Sequence, residues 1–119
     1  MTKTATSRKS IDTEIKRLEK ILKDKISPEM LKLNRKLIDN IAFMSLELEK
    51  LRREIEENGV TEEYKNGENQ FGRKKSAAAD VYNTMFKNFL SAQKQLDELA
   101  KEPQGAEISD GFDDFLNAK

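Results

Sequence analysis

The stretch YKNGENQFGRKKS, residues 64–76, carries residue types that could bind a phosphate: two glycines, several amides and three consecutive cations. Gly67 and Gly72 have the spacing of the phosphate-binding motif G-x-x-x-x-G, which must be followed by Lys and then Ser or Thr. Arg73 and Lys74 stand in those two places, and no strand pattern precedes the glycines. The spacing is therefore a chance match, and the sequence predicts no nucleotide-binding loop.

The cations Arg73, Lys74 and Lys75 are better candidates for contacts with phosphate groups. They precede Ser76, a predicted helix N-cap, and the free N–H groups at a helix N-terminus attract anions. Two alternatives stay open. The stretch could be a solvated loop with turns at its Asn-Gly and Phe-Gly pairs, or it could dock on another subunit or protein.

The N-terminal segment, residues 1–26, is basic. Residues 1–25 carry eight Lys or Arg against four Asp or Glu, although the whole chain has a net charge of zero. Such an excess predicts salt-dependent contacts with DNA phosphates, and a solvated helix face is the alternative. The candidate DNA-binding residues at this end are Arg8, Lys9, Lys16, Arg17, Lys20 and Lys23. A turn at 24–28 could also bring Lys32, Asn34, Arg35 and Lys36 beside the first helix.

Catalytic chemistry has little support in the composition. The chain has neither cysteine nor histidine, which excludes a thiol nucleophile, a thiolate zinc site and the commonest general base. Carboxylates such as Glu47, Glu54 and Glu57 occupy outward helix positions, whereas acid–base catalysis needs them to converge in a cleft. The acids near the C-terminus do not follow calcium-loop spacing. We therefore predict a protein that is not an enzyme and has no metal and no cofactor.

The elements that position these residues are predicted to be helices only. Ser10 is the predicted cap of a short first helix within 1–26. A helical hairpin over 27–102 follows, with helices at about 28–58 and 77–102 and a loop at 59–76. Ser27-Pro28 and Ser76 are its start signals, and Gly59 ends the first long helix. The predicted fold is all-α: a short N-terminal helix and a long antiparallel helical hairpin.

The long helices carry apolar residues at steps of three and four, a heptad pattern. The chain is 37% charged with a mean hydropathy of −0.80, so it has little apolar material for a thick core. Helices of this kind often complete their burial by self-association, and we predict a homo-oligomer. The predicted oligomerisation residues are Leu37, Ile41, Met44, Leu48, Leu51, Tyr82, Met85, Phe89 and Leu96.

The C-terminal segment, residues 103–119, has four acids against one lysine. We predict a flexible acidic tail, for which a disordered terminus without further function is the alternative. The tail also holds Phe112, Phe115 and Leu116, which predict a short motif that docks in a partner's groove. No apolar run is long enough to span a bilayer, and the N-terminus lacks a signal-peptide core, so we predict a cytoplasmic protein with no membrane partner.

Residues 37–99 resemble the small terminase subunits of tailed bacteriophages, in particular a short group from phages of Gram-positive bacteria. The resemblance is carried by NGENQ at 66–70, Gly72, KKS at 74–76 and VYNTM at 81–85. One departure is Ala77, where the family pattern often has proline. Both residues suit the first position of a helix, so the helix start is preserved.

The resemblance implies a non-catalytic packaging factor in the cytoplasm of the host cell. Proteins of this family assemble into rings through their central helices and recognise double-stranded viral DNA. They deliver it to the large terminase subunit, which holds the ATPase and nuclease. The alternative function is a helical adaptor or scaffold that oligomerises without binding nucleic acid. A coiled-coil transcriptional regulator is a weaker third reading, since no complete recognition helix is evident.

Overall fold

The structure, a computed structural model, describes residues 5–65, 67 and 70–101. Three quarters of these residues are helical. The elements in chain order are α1 (Arg8–Leu22), α2 (Pro28–Leu33), α3 (Arg35–Asn58), β1 (Thr61–Lys65), β2 (Phe71–Lys75) and α4 (Ala77–Lys101). The predicted helical class is confirmed in its main part, but a small antiparallel sheet is added to it. The predicted tail, 103–119, lies outside the described residues.

Helix α1 begins one turn earlier than predicted. Its cap is Ser7, not Ser10: Ser7 has extended backbone angles, and its hydroxyl oxygen accepts a hydrogen bond from the Ser10 N–H at 3.1 Å. Both serines are suitable caps, so local preference does not choose between them. The longer helix brings Arg8 within 2.9 Å of Asp12, one turn along, which favours the earlier start.

The helix predicted over 28–58 is interrupted at Asn34. Ser27 caps α2 as predicted, accepting from the Met30 N–H at 3.2 Å, with Pro28 at the first helical position. The Asn34 side-chain amide then donates to the Met30 carbonyl at 2.9 Å, and its backbone leaves the helical region at φ −102°, ψ 22°. Asparagine side chains compete in this way with helix hydrogen bonds. The prediction of one continuous helix was wrong at this residue.

Helix α3 ends at Gly59 as predicted, and the glycine has the positive φ that this position requires. Its φ is 85° and its ψ is 171°, and its N–H donates to the Ile55 carbonyl at 2.7 Å. The ψ angle places it outside the left-handed helical region in which many helices end. Only glycine adopts this extended, positive-φ conformation readily, so the chain can leave α3 directly into a strand.

The predicted loop 59–76 contains a β-hairpin, which corrects the prediction that no strand is present. β1 pairs with β2 antiparallel, from Thr61 opposite Lys75 to Lys65 opposite Phe71. The usual signal of a strand, alternating apolar and polar residues, is missing because this hairpin packs few apolar side chains. Opposite charges face each other across its strands instead. Ser76 caps α4 as predicted, accepting from the Ala79 N–H at 3.0 Å.

The core lies at one end of the molecule, where α1 packs against the beginning of α3 and the end of α4. Ile15, Ile38 and Ile41 are completely or almost completely buried there. Toward the other end, α3 and α4 continue as a two-helix arm that carries the hairpin. The fold therefore has a three-helix end and a hairpin end. The core residues are Ile11, Ile15, Leu22, Ile26, Ile38, Ile41, Ala42, Ala92 and Leu96.

Candidate nucleic-acid interface

A groove at the three-helix end, between α1 and α2, is lined mainly by cations. Lys16 and Lys20 come from α1, Lys23 from the turn that follows it, Lys32 from α2, and Arg35 from the first residue of α3. Pro28 and Leu31 give it an apolar part, and Glu19 is its one acidic lining residue. We call this site the basic groove; its lining residues are Lys16, Glu19, Lys20, Lys23, Pro28, Leu31, Lys32 and Arg35.

Two local features of the sequence build the basic groove. The apolar residues Ile11, Ile15 and Leu22 turn one face of α1 into the core, which leaves its lysines exposed on the opposite side. Ser27 and Asn34 then begin and end α2 within six residues. This short helix places Lys32 and Arg35 alongside α1. With one straight helix from 28, these side chains would follow the direction of α3 instead.

The charges of the basic groove are largely uncompensated. Glu19 lies 3.6 Å from Arg35, measured from carboxylate oxygen to guanidinium nitrogen, and both side chains are partly exposed. Within the part of the chain that the structure describes, the four lysines of the groove form no ion pair. Four ammonium groups around one groove create a positive potential that favours a polyanion.

The other predicted DNA-binding residues near the N-terminus are exposed but mostly paired. Arg8 contacts Asp39 at 2.8 Å and Asp12 at 2.9 Å. The hydrogen bond that Arg8 donates to Asp39, and then the one that it donates to Asp12, raises the pKa of Arg8. Arg17 donates two hydrogen bonds to Glu14, at 2.8 and 2.6 Å, and this contact raises the pKa of Arg17. Both guanidinium groups stay charged, but their charge is offset locally. Lys9 is exposed on α1.

The cations of residues 73–75 lie at the hairpin end, and each has a carboxylate partner. Arg73 lies 3.5 Å from Glu63, Lys74 lies 3.7 Å from Glu62, and Lys75 lies 3.2 Å from Asp80. The length of α3, about 36 Å at 1.5 Å per residue, separates them from the basic groove. The two predicted basic regions do not form one surface. Their pairing also leaves the hairpin close to neutral.

Lys16, Lys20 and Lys23 belong to the predicted DNA-binding set, whereas Lys32 and Arg35 were predicted only as residues that could lie beside the first helix. The signal for them was the turn at 24–28, which could bring the second helix against the first. The break at Asn34 makes this arrangement possible, because α2 does not continue into α3 as one straight helix.

The predicted oligomerisation residues divide into two groups. Ile41, Leu48 and Leu96 are buried inside the chain itself. The other six, Leu37, Met44, Leu51, Tyr82, Met85 and Phe89, are half-buried. Leu37, Met44 and Met85 line an open groove between α3 and α4, which exposed Phe43 and Val81 extend. We call this site the α3–α4 groove; its apolar lining residues are Leu37, Phe43, Met44, Val81, Met85 and Ala92.

Three further observations bear on function. Among the described residues, no group of three acidic side chains comes together in a way that could hold a metal ion. None of the described helices is both long and apolar enough to cross a membrane. Phe112, Phe115 and Leu116, the predicted partner-binding residues, lie outside the described residues.

Comparisons with known proteins were made at the level of families, individual sequences and structures. No protein family, curated protein or solved structure matches this chain. What the basic groove and the α3–α4 groove can bind therefore follows from their own chemistry.

Proposed function

We propose that this chain is a non-catalytic packaging factor for viral DNA, of the kind that small terminase subunits represent. It oligomerises, binds double-stranded phage DNA and delivers it to the large terminase subunit in the cytoplasm of the host cell. The observation that carries the proposal is the basic groove, whose four lysines form no ion pair with any described residue. The resemblance of residues 37–99 to small terminase subunits supports the more specific part of the proposal, which is the packaging of viral DNA.

The basic groove suits the phosphate backbone of a duplex. Lys16 and Lys20 are one helical turn apart, about 6 Å along α1, and Lys32 and Arg35 face them from the neighbouring elements. Lysines act as point charges that release condensed counterions when they meet phosphates. Such contacts hold DNA in position without reading its sequence. We therefore expect strong dependence of the affinity on salt.

The test is charge reversal in the groove. We expect Lys16→Glu with Lys20→Glu to weaken duplex binding about ten-fold or more at ~50 mM salt, and to reduce the slope of log affinity against log salt by ~0.9 for each lost phosphate contact. The matched control is Lys87→Glu with Lys94→Glu, two exposed lysines on α4. Both variants change the net charge equally, so equal losses would contradict a localised interface.

The hairpin cations give a second comparison in the same assay. Because Arg73 and Lys74 already face Glu63 and Glu62, we expect Arg73→Glu with Lys74→Glu to weaken DNA binding no more than the α4 control does. A loss as large as that of the groove variant would place the DNA contact at the hairpin end instead.

The remaining parts of the proposal concern protein partners. The α3–α4 groove supplies apolar surface for a homo-oligomer, and Phe112, Phe115 and Leu116 are the residues proposed to dock on the large subunit. The test is the double variant Phe112→Ala with Phe115→Ala in the full chain. If it binds the large subunit as the parent does, these phenylalanines are not the docking residues.

A second candidate function is an adaptor or scaffold that oligomerises without nucleic acid. The observation that favours it is the α3–α4 groove, an apolar surface on a chain of zero net charge. Dedicated DNA-binding proteins are usually basic overall. The charge-reversal experiment separates the two functions, since an adaptor would bind DNA weakly and equally in all variants.

A further inference from the structure

The basic groove and the C-terminal residues are complementary in charge. Residues 102–119 hold five acids, Glu102, Glu107, Asp110, Asp113 and Asp114, against the single cation Lys119. The groove has four lysines without a carboxylate partner in the described part of the chain. It is thus a described surface with uncompensated charge of the opposite sign.

The C-terminal residues and the basic groove are also complementary in their apolar parts. In the sequence FDDF, residues 112–115, two adjacent aspartates stand between two phenylalanines. In the basic groove, Pro28 and half-buried Leu31 lie among the lysines. A peptide that contains both acidic and aromatic residues can pair its carboxylates with the lysines while its rings cover the apolar part. A DNA backbone would use only the lysines.

The tail begins at the same end of the molecule as the basic groove. Helix α4 ends at Lys101, and Leu99 and Ala100 pack against the core formed with α1. The tail therefore starts at the three-helix end, where the basic groove lies. The eighteen residues after Lys101 can span up to about 60 Å, whereas the whole of α1 is about 22 Å long. Its length is ample, and a tethered ligand has a high effective concentration.

We propose that the acidic tail, residues 103–119, binds in the basic groove and competes there with DNA. Only the competition rests on the proposed function; the docking of the tail does not require that DNA binds. A partner that takes Phe112 and Phe115 from the tail would release the groove. The large subunit and the genome would then act on this chain in a coupled way, since each favours the state with an open groove.

Carbodiimide crosslinking tests the docking directly, because this reagent joins a carboxylate to an adjacent lysine ammonium group without a spacer. In the full chain at low salt, we expect crosslinks from Asp110, Asp113 or Asp114 to Lys16, Lys20, Lys23 or Lys32, located by mass spectrometry. Screening at about 0.5 M salt should remove them. Crosslinks to Lys87 and Lys94 of α4 at the same frequency, or none to the groove, would overturn the proposal.

DNA affinity tests the competition. We expect the variant Asp110→Asn, Asp113→Asn and Asp114→Asn to bind duplex DNA at least about five-fold more tightly at low salt. The control Glu57→Gln, Asp97→Asn and Glu98→Gln removes three exposed acids elsewhere and should gain much less. Equal gains would overturn the competition. Two results together would support docking and contradict the proposed function. These are crosslinks to the groove in the parent chain, and a DNA affinity that does not change when the charges of the groove are reversed.

Discussion

In the hairpin, the ring of Tyr64 lies against Gly72. They are opposite each other in the strand register, and a Cβ atom built on Gly72 would lie 2.7 Å from the Tyr64 hydroxyl oxygen. The tyrosine ring thus covers the glycine, an arrangement that shields a strand glycine from water. An alanine at this position would force the ring away. The glycine is required here for the space above it and not for a positive φ.

We expect Gly72→Ala to loosen the hairpin when Tyr64 is present and not when it is absent. In a Tyr64→Ala background the added methyl group meets no ring, and alanine suits a strand better than glycine does. Amide exchange in β1 and β2 would measure the local opening free energy of all four combinations, with a coupling of roughly 0.5–1 kcal/mol. Equal effects of Gly72→Ala in both backgrounds would contradict the contact.

Ser76 is a buried polar residue at the hairpin end, and it caps α4, the longest of the described helices. Its hydroxyl oxygen accepts from the Ala79 N–H at 3.0 Å, and its own N–H donates to the Val60 carbonyl at 2.9 Å. We expect Ser76→Ala to cost about 1 kcal/mol of unfolding free energy, measured in urea. The control Ser91→Ala changes an exposed serine within α4 and should be neutral or slightly stabilising. Similar changes in the unfolding free energy for both variants would contradict a capping role for Ser76.

At the scale of elements, α1 depends on a small number of buried side chains. Ile15 is completely buried against α3 and α4, while Ile21 on the same helix is 52% exposed. We expect Ile15→Ala to lower the unfolding free energy by about 2–5 kcal/mol, because the cavity it leaves lies in the centre of the core. Ile21→Ala should change it by no more than about 0.5 kcal/mol.

The Ile15 variant also has a functional consequence. Since α1 carries Lys16 and Lys20, loosening it from the core would disperse the basic groove. We expect faster amide exchange in α1 and weaker DNA binding in the same variant. Protected α1 amides together with an unchanged unfolding free energy would show that α1 is held by contacts other than Ile15.

Sequence patterns predicted the elements where a local signal was strong and unopposed. Ser27-Pro28, Ser76 and Gly59 each mark a helix boundary through their own conformational preference, and each has the predicted role. The break at Asn34 was missed because an asparagine within an apolar heptad pattern has a weaker signal than the pattern itself. The hairpin was missed because its strands pair by charge, with Glu62 and Glu63 opposite Lys74 and Arg73, and not by alternating apolar residues.

The candidate site was predicted less completely than the elements. The sequence identifies cations, but it does not show which carboxylates will neutralise them. Arg8 is offset by Asp39, which is 31 residues away in the chain, and Lys75 by Asp80 of the following helix. The pair of Arg8 and Asp39 forms only after α1 and α3 pack together. The lysines of the basic groove stand out once these compensated cations have been recognised.

At the scale of the whole molecule, the apolar surface exceeds what one chain buries. Phe43 is 38% exposed and Val81 is 48% exposed, on the two sides of the α3–α4 groove. A second copy that packs into this groove would remove both from water, at roughly 25 cal/mol for each Å² of apolar area. Ile41, Leu48 and Leu96 cannot serve in such an interface while they hold α3 and α4 together.

We therefore expect the chain to form a closed oligomer of several subunits, and Phe43→Asp with Val81→Asp to reduce its mass in solution, measured by light scattering. The added carboxylates would be buried without partners at the interface, whereas the separate chain keeps them in water. The matched control is Ile21→Asp with Leu33→Asp, two exposed apolar residues outside the groove. If both variants keep the parent mass, the copies associate through another surface. A parent chain that is monomeric with and without duplex DNA would contradict the self-association itself, because Phe43 and Val81 would then stay exposed to water with no second copy to cover them.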